Sequence, residues 1–223
     1  MQGKIGGLVF VNSKTYDAHV RMPRGSKKKA TVNSTLAGNV DKLKGGNRPE
    51  KQVYALVKMF AGNFKDSQLW QKIMSLVLRG TSNKFIDLLT AMEGLELNPA
   101  YPLERFGLFP KLKIQSDKQK LVVHLESDHV PFLNKKNDCY QYVLTCLFLP
   151  YNITETGYIT ANTGWLESKA PPGKQVFRFV KPRKARYYLL CLGLEWGENH
   201  IATNTLATKG MQFIKAGTFK IKG

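Results

Sequence analysis

Apolar and polar positions change period twice along this chain. Near the start they alternate. Leu8, Phe10 and Asn12 stand against Val9 and Val11, and Tyr16, Ala18 and Val20 against Asp17, His19 and Arg21. A period of two predicts a β-hairpin over residues 5–22, with Asn12-Ser13-Lys14 as its polar turn. A lone hairpin is marginal in water, so this one is expected to pack on its own chain, a second copy or a partner.

From residue 33 to 93 the period becomes helical. Asn33 or Ser34 can cap a short helix carrying Leu36, Val40 and Leu43, which Gly45-Gly46 ends. Asn47 can cap the next, with Pro49 in its first turn and Val53, Leu56, Val57, Phe60 and Phe64 on one face. Asp66 or Ser67 caps a third, with Leu69, Trp70, Ile73, Met74, Leu76 and Val77. Ser82 caps a fourth, with Phe85, Ile86, Leu88, Leu89 and Met92. These stripes read as core, and helices this short need packing to persist.

Pro99, Pro102 and Pro110 then interrupt the pattern. The stretch reads as an irregular connector packed through Tyr101, Phe106, Leu108 and Phe109. Beyond it strand signals return: 120–126, 140–149, 157–160, 175–180, 187–196 and 211–221, separated by Pro-, Gly- and Lys-rich turns. Six or seven strands at this spacing predict an antiparallel β-sandwich, with Ile114, Val122, Leu144 and Leu190 among its core positions. The expected fold class is therefore α+β. Its parts are a β-hairpin and basic arm at 1–32, a short helical region at 33–95, a connector at 96–113 and a β-sandwich domain at 114–223.

Charge changes this picture most. The 223 residues hold 34 Lys and Arg against 16 Asp and Glu, a net charge of +18. Such a surface attracts polyanions, nucleic acid foremost. The excess is uneven: residues 1–60 hold 12 basic and 3 acidic side chains, residues 61–110 hold 5 of each, and residues 111–223 hold 17 and 8. Three cationic clusters stand out. Arg21, Arg24, Lys27, Lys28 and Lys29 form a basic arm broken by Pro23 and Gly25. Lys42, Lys44, Arg48 and Lys51 are interspersed with glycines that let a backbone approach an anion. Lys181, Arg183, Lys184 and Arg186 fall in a turn between strands. Phe10 and Tyr16 lie near the first cluster, and Tyr187 and Tyr188 near the third. Cations beside rings are what a nonspecific nucleic-acid surface uses, although a strand position also explains the tyrosines. A bland reading of each cluster is a solvated linker or turn.

Candidate chemistry adds little. The sequence has no P-loop, no Gly-x-Ser-x-Gly elbow, no His-Glu-x-x-His and no Cys-x-x-Cys. His124 and Glu126 would share a strand face near His129, an arrangement open to a metal or a general base, but a strand end of mixed charge accounts for it. Cys139, Cys146 and Cys191 lie in apolar runs and read as core thiols. No catalytic residue, metal or cofactor is expected. No stretch reaches the roughly 18 apolar residues of a membrane span, and Ile5 to Val11 is too short for a signal segment. The expected location is the cytoplasm, or a particle assembled there.

Taken together, Gly3 to Val11 (Gly-Lys-Ile-Gly-Gly-Leu-Val-Phe-Val), Thr15 to Arg21, the Lys-rich loop and Leu69-Trp70-Gln71-Lys72 resemble a group of uncharacterised Bacteroidetes proteins. The resemblance implies a Gly-rich N-terminal hairpin and an immunoglobulin- or fibronectin-like C-terminal part, and no activity. The expected role is a non-catalytic structural or assembly protein with a polyanion-contacting surface, such as a subunit of a phage-like or other large complex. Its expected partners are nucleic acid or another polyanion and protein subunits, further copies of itself included. The alternatives are a nonspecific DNA- or RNA-binding protein and, last, a metal-dependent nuclease, which would need a carboxylate cluster.

Overall fold

The computed structural model describes residues 3–5, 8–11, 19–21, 49–79, 84–106, 109–132, 137–150 and 157–219. The chain divides into two compact units, Met1–Lys44 and Gly45–Gly223. In the first, β1 (Gly3–Ile5), β2 (Leu8–Val11) and β3 (His19–Arg21) form an antiparallel sheet in that order. Phe10 lies opposite Gly3 and Val20. The helix expected around Leu36, Val40 and Leu43 lies outside the described residues.

Among the described residues, the second unit opens with three helices. In α1 (Pro49–Phe60), proline takes the first position, where its missing N–H is no loss, and Val53, Leu56 and Val57 are fully buried. Phe64 was expected on this helix. Instead the chain turns at Gly62, whose φ of 52° is left-handed, and Phe64 belongs to a short 3-10 turn, Gly62–Phe64. In α2 (Leu69–Arg79), Leu69, Ile73 and Val77 are buried at a spacing of four. The Asp66 carboxylate accepts from the Gln68 N–H at 2.9 Å and meets Lys72 at 2.6 Å, so it organises the helix start as expected. Helix α3 (Phe85–Thr90) buries Leu88 and Leu89.

The strands that follow are β4 (Lys111–Ser116), β5 (Lys120–Ser127), β6 (Cys139–Leu149), β7 (Tyr158–Asn162), β8 (Leu166–Glu167), β9 (Gly173–Val180), β10 (Tyr187–Glu198), β11 (Ile201–Ala202) and β12 (Lys209–Thr218). They make two antiparallel sheets. A small one runs β4-β5-β9. A large one is centred on β6 and β10, with β7 and β8 beyond β6, and β11 and β12 beyond β10. The fold is thus mixed α+β, with few helices and mostly antiparallel sheet.

Alternate residues of β6 and β10 feed two different cores. Tyr140, Tyr142, Leu144, Cys146 and Phe148, with Leu190, Leu192, Leu194 and Trp196, share a cluster with Leu121, Val123, Leu125, Phe177 and Phe179 of the small sheet. Leu147, Leu149, Leu189 and Cys191, with Met211 and Phe213 of β12, share the other with the helical residues Leu56, Ile73 and Leu89 and with Met92 just beyond the third helix. Strands covered on both faces take apolar residues at most positions, which is why 139–149 and 187–198 are apolar except at Gln141, Thr145, Glu195 and Glu198 and at two glycines. The helices therefore complete a core of the large sheet. The segments 49–95, 96–113 and 114–223 lie in one unit, because the sheet face they share cannot be left wet.

The connector is more regular than its prolines predict. Gly94 and Leu97 donate backbone N–H groups to Phe213 and Met211 at 2.7 Å, and Phe213 returns one to Leu95 at 3.0 Å, so residues 94–97 line the outer edge of β12. Leu97 and Leu103 are buried and Tyr101 packs on the core, but Phe109 is exposed. Leu108 and the Phe106 side chain lie outside the description. The strand β4, which begins at Lys111, was not singled out in the sequence. Of the expected core positions, Leu144 and Leu190 are buried and Ile114 is partly so. Val122 instead points outward, because it pairs with Gln115 and Arg178 on the solvent face of the small sheet. Among the described residues no helix is long and apolar enough to cross a membrane.

Candidate polyanion-binding surface

The β9–β10 turn carries the third sequence cluster and is pinned at both ends. Lys181 donates its backbone N–H to Gln119 at 2.7 Å, Arg186 donates to Leu149 at 2.8 Å, and Phe219 donates to Arg186 at 2.9 Å. Ala185 is buried beneath the turn, so Arg183, Lys184 and Arg186 are held outward and exposed. Lys181 is half-buried, its ammonium 5.7 Å from the centre of the Phe219 ring. The neighbouring tyrosines do not form a stacking platform. Tyr187 lies against Phe85 with ring centres 4.7 Å apart, and Tyr188 is buried against Phe219 at 5.3 Å. Burial pushes the Tyr188 hydroxyl pKa up.

Of the other expected contacts, Lys51 is exposed on α1, beside Tyr54 and Trp70, whose ring centres are 5.2 Å apart. Arg21 is the last residue of β3, opposite Val9. Arg24, Lys27, Lys28, Lys29, Lys42, Lys44 and Arg48 lie outside the described residues.

A set of cations absent from the sequence clusters lies on the outer face of the small sheet. Register puts Lys111, Glu126 and Lys174 in one row, Lys113, His124 and Val176 in the next, then Gln115, Val122 and Arg178, and finally Lys120 and Val180. The burial patterns of β4, β5 and β9 turn these positions outward and their neighbours inward. Lys174 meets Glu126 at 3.4 Å in a wet, exposed pair of little energetic weight. Period-two lysines within a strand were the available signal, but cluster counting favours cations adjacent in sequence and misses those brought together by register.

The carboxylates behave differently, because many are spent on the fold. Glu93 accepts the Ala216 backbone N–H at 2.8 Å and meets Lys215 at 3.2 Å. Asp117 caps the β4–β5 turn through the N–H groups of Gln119 and Lys120, at 2.7 and 2.8 Å. Asp138 accepts the Asn199 N–H at 3.0 Å, which lowers its pKa. Glu195 is buried between Gln141, at 2.8 Å, and Lys209, at 3.1 Å. Glu96 accepts the Leu103 N–H at 3.2 Å, and burial, aided by Glu104, raises its pKa to about 7.

His124 and Glu126 do share a face of β5, but Lys174 engages Glu126. Cys139, Cys146 and Cys191 are free and buried, and burial pushes all three thiols up, away from the thiolate that nucleophilic chemistry needs. Among the described residues no three His, Cys, Asp or Glu side chains gather as a metal site would require. A cavity of about 90 Å³ lies against Gly193, walled by the Thr145–Thr160 hydroxyl pair, the Glu195–Lys209 ion pair and Phe60. Compared with protein-family models and with curated proteins, the chain matches none.

Proposed function

We propose that this chain is a non-catalytic structural or assembly protein that offers a basic surface to a polyanion, as a subunit of a phage-like or other large complex. One observation carries the reading: Arg183, Lys184 and Arg186 are exposed on one pinned turn, and Lys111, Lys113, Lys120, Lys174 and Arg178 are exposed on one face of the small sheet, where Glu126 is the one carboxylate among the outward strand positions. Glu93 and Glu195 pair with Lys215 and Lys209, while Asp117 and Asp138 accept backbone N–H groups at exposed turns and keep their negative charge. The field seen by a partner at these two surfaces is positive.

Strand order supports an immunoglobulin- or fibronectin-like reading of the sheets. On that reading β4-β5-β9 would stand for strands A-B-E, and β7-β6-β10-β12 for C′-C-F-G. Such modules serve widely as building blocks of extended assemblies, and the N-terminal segment would supply contacts to neighbouring subunits. On this reading the protein works in the cytoplasm or in a particle assembled there.

Light scattering coupled to size-exclusion chromatography, with and without DNA across a salt series, tests the proposal. A defined oligomer that persists at high salt is the expected result. A monomer that binds DNA at low salt and releases it steeply as salt rises would replace the assembly reading with that of a nonspecific binder.

A further inference from the structure

We propose that the outer face of the β4-β5-β9 sheet is a docking surface for the phosphodiester backbone of duplex nucleic acid. The inference rests on the polyanion reading above and gives it a surface and a partner. Lys111 and Lys113 on β4, Lys120 on β5, and Lys174 and Arg178 on β9 all face one side, against the single carboxylate Glu126. Outward residues two apart on a strand are separated by about 6.7 Å, and the two outer strands by about 10 Å. The cations thus form a grid rather than a point, on a face roughly 20 Å long. A duplex presents about one phosphate charge per 1.7 Å of its axis, so such a grid meets several phosphates at once.

The composition of the face selects among polyanions. Four of its five cations are lysines, a residue depleted from protein–protein interfaces, where arginine and aromatic anchors dominate. The outward strand positions hold no Phe, Tyr or Trp, and their apolar members are Val122, Val176 and Val180. Binding of single strands draws on aromatic stacking, which these valines cannot supply. An anionic membrane would need bulky apolar residues to insert among its head groups, and the face lacks those too. What remains is a flat, cationic surface suited to a stiff phosphate backbone without base reading.

The test is fluorescence anisotropy of a labelled 20-base-pair duplex with the full chain, over a range of salt concentrations. The parallel probes are a single strand of equal length, phosphatidylserine vesicles and polyglutamate. The expected result is a duplex preference, with log affinity falling against log salt at a slope of about −4.5 for about five phosphate contacts. The double variants Lys113→Glu/Arg178→Glu and Lys113→Gln/Arg178→Gln, shown by circular dichroism to be folded, should weaken duplex binding about tenfold or more and flatten the slope. Unchanged duplex binding in both variants, with binding lost on reversing Lys27, Lys28 and Lys29, overturns this surface and leaves the polyanion reading standing. Tighter binding to the single strand, the vesicles or polyglutamate overturns the choice of partner. No binding to any probe overturns both readings together.

Discussion

The two sheets of the second unit are built from similar strands and have opposite relations to water. The large sheet is covered on both faces, and its central strands β6 and β10 are apolar at nearly every position. The small sheet buries Leu121, Val123 and Leu125 of β5 and turns the alternate residues to solvent. The large sheet is therefore constrained by packing almost everywhere, whereas half of the small sheet is free to vary without loss of fold. That free half carries the lysines. Stability and recognition are thus divided between two layers.

The sharpest way to break this division is to empty the doubly covered layer. Phe213 is fully buried between α-helical residues and β10. Phe213→Ala should destabilise the protein by about 3–5 kcal/mol, read by urea unfolding, and a cost below 1 kcal/mol would contradict the two-core arrangement. Gly197→Ala comes next. An added Cβ would lie 2.6 Å from the Trp165 ring and 2.7 Å from the Ile201 carbonyl oxygen, a backbone atom that cannot swing away. We expect a loss of about 1–3 kcal/mol, against none if that turn is loose.

Glu96 sharpens the comparison through pH. Its folded-state pKa is raised from 4.5 to about 7, so between those values the folded chain holds a proton that the unfolded chain has released. The stability this group confers is full below about pH 4.5 and is lost as pH rises through 7. Glu96→Gln keeps an oxygen for the Leu103 N–H and cannot ionise. Its stability relative to the parent should therefore increase from pH 5 to pH 8, and a constant difference would refute the raised pKa. The smallest effect is expected on the free face: Val180→Thr, at a side chain 73% exposed, should change stability by less than about 0.5 kcal/mol.

Much of this division was legible in the sequence. The largely apolar runs at 139–149 and 187–198 mark strands covered on both sides, and the alternation of Phe177 and Phe179 with Arg178 marks one covered on a single side. Helix α2 could be read from its spacing and from Asp66 before it. Val122 could not be placed, because an apolar residue in an alternating strand faces inward or outward according to register, and register belongs to the partner strand. For the same reason Lys111, Lys113, Lys174 and Arg178 looked like scattered charges, although hydrogen bonding gathers β4 and β9 on either side of β5. Tyr187 and Tyr188 looked like stacking residues beside a basic turn, and packing on Phe85 and Phe219 takes both. Proline content likewise hid the pairing of residues 94–97, because none of the prolines falls within that segment.

That pairing has a consequence for how the chain is made. The helices that precede residue 94 emerge from the ribosome well before β12, which completes their core through Met211 and Phe213. The Glu93 carboxylate waits 123 residues for the Ala216 N–H that it accepts. Until then the apolar stripes of α1, α2 and α3 have no finished sheet to cover. Non-local closure of this kind slows folding and leaves sticky surface exposed on the growing chain. The nascent protein should therefore depend on a holding chaperone until β12 is delivered.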